Sequence, residues 1–243
     1  MLRRIVASSP HAQYHDIPAT LPLSGRQFPN LNTVILEDTE LFDLRGLYSK
    51  RDEQTEYSPT KLTSLSVRAG DFTPRVWITH VVKLEFASEL RWFEFTSSAE
   101  DFRSTVRSFI NVLSGHTIRE AKAPLPLMFL SIIACRTRKP KKQDIDDQIL
   151  CARLLEAAVV ALPNLRYVAF AQIPDDVLRS ATREYGQRQW PNARWQWWRI
   201  IRGAEGIEVR EIPTWEGERV RKYMRDADMA HADDFDDQFE ALR

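Results

Sequence analysis

The chain has 243 residues, with 34 Lys plus Arg against 34 Asp plus Glu, 43% hydrophobic and 28% charged residues. A formal charge of zero and a pI near 7.0 supply no global field toward nucleic acid or anionic membrane. Two cysteines, Cys135 and Cys151, are too few for a disulfide scaffold, so a reducing compartment is expected.

The opening residues are basic but carry no apolar stretch of signal-peptide length. No window approaches the ~18 consecutive apolar residues of a membrane span. A cytoplasmic or nuclear protein without a membrane contact is expected. Residues 1–28 are read as an irregular N-terminal cap on a single repeat domain.

From there an apolar pattern of the form L-x-x-L-x-L recurs six times: Leu31/Val34/Leu36, Leu62/Leu65/Val67, Leu90/Phe93/Phe95, Leu127/Leu130/Ile132, Leu165/Val168/Phe170 and Trp195/Trp198/Ile200. At this composition a three-position match arises by chance in roughly 8% of windows, so the pattern needs support. A Pro-Asn dipeptide stands just ahead of three of the units, at Pro29-Asn30, Pro163-Asn164 and Pro191-Asn192. Proline cannot continue a preceding helix, and Asn tolerates the turn that leads into a strand.

Between the strands lie helical patterns. Residues 101–113 place Phe102, Val106, Phe109, Ile110 and Leu113 on one stripe, with Ser97 and Glu100 as a capping box ahead of it. A second helix is predicted over 144–162, from Ile145 through Ile149, Leu150, Leu154 and Leu155 to Val159 and Val160. Shorter helices are predicted near 40–50, 72–83 and 174–187, and a last one near 215–229. Strand and helix alternating at 28–38 residues predict an α/β solenoid, whose units bury their apolar faces by stacking. In this reading repeats fill 29–213, and 214–243 form a helical C-terminal cap and acidic tail.

These units resemble irregular leucine-rich repeats. More specifically, PNLRYVAF (Pro163 to Phe170) and the closing stretch resemble the repeat region of F-box-type proteins of mushroom-forming fungi. That closing stretch runs from Trp195–Gly203 through Val209-Arg210-Glu211-Ile212 to Glu216-Gly217-Glu218-Arg219-Val220. The resemblance implies a short horseshoe arc of about six strand–helix units with a parallel sheet on its concave face. It also implies a substrate-recognition role in a ubiquitin-ligase receptor. An F-box has no room ahead of Leu31, so a ligase adaptor is expected as a partner only if an F-box is supplied elsewhere.

Side chains alternate along a strand, so the fourth and sixth motif positions face the core and positions three, five and seven face the concave surface. The expected partner-binding residues are Trp92, Phe129, Tyr167 and Trp197, flanked by Arg68, Glu94 and Arg199. An exposed aromatic row with flanking charge is the composition of a protein-binding hot spot.

Catalytic motifs, phosphate loops and dinucleotide fingerprints are missing, and the five histidines share no ligand spacing with the cysteines. An acidic loop from Asp226 lacks the glycine of an EF-hand. No enzyme activity, cofactor or metal is expected. The function class is therefore a non-enzymatic protein-binding domain. The alternative is a nucleic-acid-associated or nuclear protein using the basic loop 136–142 and the tryptophans around Trp195.

Overall fold

The computed structural model describes residues 4–8, 33–37, 63–69, 90–114, 126–136, 143–174 and 193–226. These form an α/β structure around one eight-stranded mixed sheet whose strands lie in sequence order. The strands are β1 (Arg4–Ser8), β2 (Thr33–Glu37), β3 (Ser64–Ala69), β4 (Trp92–Asp101), β5 (Phe129–Arg136), β6 (Tyr167–Pro174), β7 (Arg194–Gly203) and β8 (Gly206–Ile212). Three helices are described: α1 (Phe102–Ser114), α2 (Gln143–Ala161) and α3 (Thr214–Asp226).

All six predicted strands form. In the first five of them the third motif positions pair in one continuous register, Thr33 with Ser64, then Trp92, Phe129 and Tyr167. Two strands lie outside the expected set. The segment read as an irregular cap contributes β1, parallel to β2, and β8 closes the far edge.

The expectation of a wholly parallel sheet is corrected. β7 runs antiparallel to β6, and β8 antiparallel to β7. An apolar spacing assigns residues to faces but is blind to strand direction, because alternation reads the same in both senses. The faces of β7 accordingly agree with the expectation while its direction does not. The β7–β8 turn passes between the paired Gly203 and Gly206, and Gly206 sits at φ 130°, where a side chain would strain the backbone.

Behind the sheet, α1 buries Phe102, Thr105, Val106, Phe109, Val112 and Leu113 along one stripe. It packs beside α2, which buries Leu150, Cys151, Leu154, Leu155 and Ala158. These side chains meet Leu65, Phe93, Phe95, Leu130, Ile132, Val168 and Phe170 from the sheet. Phe95 and Phe109 touch edge to face at 5.4 Å. Ile149 and Val160, counted in the apolar pattern of α2, lie instead on its solvent side, exposed by 50% and 74%.

Arg103 ties the starts of the two helices together. Its Nε donates to Asp147 at 2.7 Å and its Nη2 to Asp146 at 3.3 Å. Gln172 of β6 donates to the other Asp147 oxygen at 3.3 Å. The hydrogen bond that Arg103 donates to Asp147, opposed by burial and joined by the charges of both carboxylates, raises the Arg103 pKa.

After α2 the chain turns at Pro163-Asn164, and Leu165 N–H donates to Leu162 C=O at 3.0 Å. Pro and Asn occupy the two central positions of this turn, as the dipeptide requires. The Ser97/Glu100 pair proposed as a capping box does not stand at the helix start, which falls at Phe102. Residues 97–101 continue β4, Ser97 pairs with Ala134, and an irregularity in register follows before Asp101. The helices predicted near 40–50, 72–83 and 174–187, and loop residues 137–142, lie outside the described residues.

Candidate functional site

The front of the sheet carries the predicted aromatic row. Trp92, Phe129, Tyr167 and Trp197 all stand on that face, together with Glu94, Ser131 and Ala169. Trp92 stacks on Phe129 at 5.9 Å between ring centroids, and Phe129 meets Trp197 at 6.0 Å. Trp195 extends the row, stacked on Trp197 at 5.1 Å. Because β7 is antiparallel, Trp197 stands opposite the small Ala169, while Tyr167 faces Arg199 across the ladder.

The expected exposure of this row is corrected. Trp92 is 2% exposed, and Phe129, Tyr167 and Trp197 are fully buried. The reason is α3, which lies over them. Its Val220 and Met224, one turn apart, pack against the rings together with Ile212 at the end of β8. Gly217 faces the Trp197 indole so closely that a Cβ at that position would overlap the ring. A glycine costs helix stability, and here it is what lets the indole lie against the helix backbone.

Glu94 is buried too, and it is paired. Arg221 of α3 donates Nε to Glu94 Oε2 at 2.8 Å and Nη2 to Oε1 at 3.0 Å, a bidentate ion pair between elements 127 residues apart. The guanidinium also lies 5.3 Å from the centre of the Trp195 ring. Burial pushes the Arg221 pKa down, but the charge and hydrogen bond of Glu94, with Glu218 behind, more than offset it, and the net direction is up. Such a pair recovers its desolvation cost only with this geometry. The side chain of Arg68 lies outside the described residues, and Arg199 is half-buried.

The closure is polar in an unusual way. Ser64 Oγ, Trp92 Nε1, Ser131 Oγ and Trp197 Nε1 are buried there without a hydrogen-bond partner. Each unmade bond costs about 1–3 kcal/mol. Residues for this covering helix were legible as a predicted helix near 215–229, but nothing in its spacing identified the sheet face that it covers.

A second feature was not foreseen. A cavity of about 400 Å³ opens where β4, β5 and β6 begin, lined by Arg91, Arg166, Arg199 and Arg202 among others. Its apolar walls include Pro126, Met128, Pro163 and Leu165, and no carboxylate is among its described lining residues. Arg91 and Arg166 hold the second motif position in their units, immediately before Trp92 and Tyr167. Met128 holds that position between them. Phe129 N–H donates to Arg91 C=O at 3.0 Å and Tyr167 N–H to Met128 C=O at 3.0 Å, so the three residues form one row across neighbouring strands. Attention to positions three, five and seven left this row unread.

Among the described residues no group of His, Cys, Asp and Glu has the arrangement of a metal site. No helix among them is long and apolar enough to cross a membrane. Cys151 is buried, and desolvation, then the nearby Asp147 charge, pushes its thiol up to about 12. Comparison with family models, curated proteins and solved structures finds no match to this chain.

Proposed function

We propose that this chain is a non-enzymatic protein-binding domain built as a leucine-rich-repeat-like solenoid. The solenoid reading rests on sequential strands whose motif positions share one register from β2 to β6. Its aromatic face is occupied by α3, so the binding surface is assigned elsewhere, to β8, the last strand of the sheet among the described residues.

The observation that carries this is the exposure of apolar side chains on an edge strand. Ile207 and Val209 of β8 are 51% and 41% exposed, and Trp215, just beyond, is 60% exposed. Among the described residues β8 ends the strand order, and no described strand pairs with its outer side, where an added strand could join. Natural edges are normally blunted by charge, bulges or cover, and an extended peptide adds to such an edge through main-chain hydrogen bonds. Glu208, Arg210 and Glu211 would set the register of such a peptide by charge. In the finer version of this reading, the domain selects substrates for a ubiquitin ligase whose docking module lies outside residues 29–226.

The test is purification of the tagged chain from its native cells beside an Ile207→Asp/Val209→Asp variant. Both side chains are exposed, so the fold should survive. The expected result is a stoichiometric partner held by the unaltered chain and lost by the variant, with a ligase adaptor among the recovered proteins if the receptor reading holds. Identical recovery by both forms would move binding away from β8. The absence of any stoichiometric partner would sink the protein-binding reading.

A further inference from the structure

We propose that β8 pairs with β8 of a second copy of this chain, joining two sheets across a two-fold axis through Val209. This pairing rests on the reading of β8 as the binding edge and names its occupant.

The backbone supplies the first reason. Gly203 and Gly206 pair across a two-residue turn, and only a hydrogen-bonded pair can close so short a loop. Hydrogen-bonded and non-hydrogen-bonded pairs then alternate along the ladder, so Ile201 with Glu208 and Arg199 with Arg210 spend their main-chain groups on each other. Ile200 agrees with this. Its N–H turns away from β8 and donates to Arg166 C=O at 2.7 Å. The N–H and C=O groups of Ile207, Val209 and Glu211 therefore point outward, away from β7. An antiparallel second copy meets all three with outward groups of its own when Val209 faces itself. Ile207 then stands opposite the partner's Glu211, and Glu211 opposite the partner's Ile207.

Charge selects that register. The smallest slide that keeps outward groups facing moves the axis to Glu208 or to Arg210. Either places a charge directly opposite its own copy, which disfavours pairing. Centred on Val209, Glu208 faces the partner's Arg210, Arg210 faces the partner's Glu208, and the strand is paired from Gly206 to Ile212. Arg210 also stands opposite Arg199 on β7, so a carboxylate on its other side offsets a like-charged neighbour. Within one chain Arg210 Nε lies 3.5 Å from Glu208 Oε1, with both side chains more than half exposed. Both charges are thus at the surface, within reach of a second copy.

The apolar side chains agree. Val209 pairs with the buried Ile200 on the rear face, so the dimer continues one aliphatic row through the partner's Val209. The exposed Ile207 lies diagonal to the partner's Val209, a distance long side chains span. Access is open as well. Every residue from Gly206 to Glu211 is exposed. From the end of β8, α3 runs back over β7 to β4, where Arg221 meets Glu94.

The experiment is sedimentation equilibrium of the full chain, unaltered and with Arg210→Glu or Glu208→Arg. The unaltered chain should dimerise. Each single substitution sets like charges face to face and should raise the dissociation constant by about tenfold or more. Mixing the two variants should restore association as a heterodimer, because every glutamate then faces an arginine. A chain carrying both substitutions should dimerise with itself again. Arg210→Glu puts a carboxylate opposite Arg199, so its fold should hold. Hydrogen exchange of the unaltered chain gives a second measurement that needs no variant. Protection should rise with concentration at Ile207, Val209 and Glu211, and stay constant at Glu208 and Arg210, whose amides already bond β7.

An unaltered chain that stays monomeric up to millimolar concentration would overturn the self-pairing. If that monomer still retains a different protein through Ile207 and Val209, the reading of β8 as a binding edge stands with another occupant. Dimerisation that survives both single substitutions, or concentration-dependent protection confined to residues outside β8, would place the contact elsewhere and overturn the proposal.

Discussion

The two faces of the sheet are buried to similar depth by different means. Behind it, Phe95, Leu130, Ile132, Val168 and Phe170 meet α1 and α2 through apolar contact. On the two covering helices and the rear face, Thr105 Oγ1 is the one buried side-chain polar atom among the described residues left without a partner. In front, the aromatic row meets α3 through one bidentate ion pair and beside four unpartnered polar atoms. Burial alone therefore does not measure how firmly a surface is closed. Apolar packing loses stability in proportion to area or volume removed, whereas a buried charge deprived of its partner loses nearly all of its compensation.

The sharpest way to break this comparison is the ion pair. Arg221→Ala should cost about 3–5 kcal/mol by urea denaturation, because Glu94 is left charged and buried. Replacing both with methionine should recover most of that loss. Hydrogen exchange should show the damage concentrated in α3 and β7, with α1 and α2 still protected. A uniform loss of protection on both faces would mean that the closure is not a separable unit.

Next in size is Gly217→Ala. The added methyl meets the Trp197 ring, and overpacking of this kind costs about 1–3 kcal/mol. An exposed helical glycine would gain about 1 kcal/mol from the same change, so even the sign tests whether α3 sits against that indole.

Behind the sheet, Asp147→Ala should cost about 1–2 kcal/mol. It removes the partner of both Arg103 and Gln172. Asp146→Ala should change little, since its carboxylate is 61% exposed and makes the longer bond to Arg103. Equal effects by thermal denaturation would contradict the geometry at the start of α2.

The smallest effect belongs to Cys151. Its thiol is raised from 9.0 to about 12 in the fold, so the unfolded chain loses its proton first as pH rises. The corresponding stability is present below about pH 9 and is lost as pH climbs toward 12. A Cys135→Ser chain should react slowly with a thiol reagent at pH 8 and quickly once denatured. Cys151→Ala should show a flatter decline above pH 9.

Much of this fold was legible in the residues, and the parts that were not share a cause. The six apolar triplets located six strands, and the motif register in β2–β6 agrees position by position. The stripe of Phe102, Val106 and Phe109 located α1. Those are local properties, set by the two-residue period of a strand and the 3.6-residue period of a helix. The aromatic residues of the expected binding surface were placed on one face correctly, yet their exposure was not, because exposure depends on what arrives from elsewhere in the chain.

By itself the sequence determined which residues share a face, where strands begin and where Pro163 ends a helix. Tertiary structure alone decided that β7 runs backward, that α3 covers Trp92, Phe129, Tyr167 and Trp197, and that Arg91, Arg166 and Arg199 surround one cavity. The physical reason is range. Periodicity records how neighbouring residues partition between core and solvent, whereas a pairing such as Glu94 with Arg221, 127 residues apart, is created only when distant segments compete for the same surface.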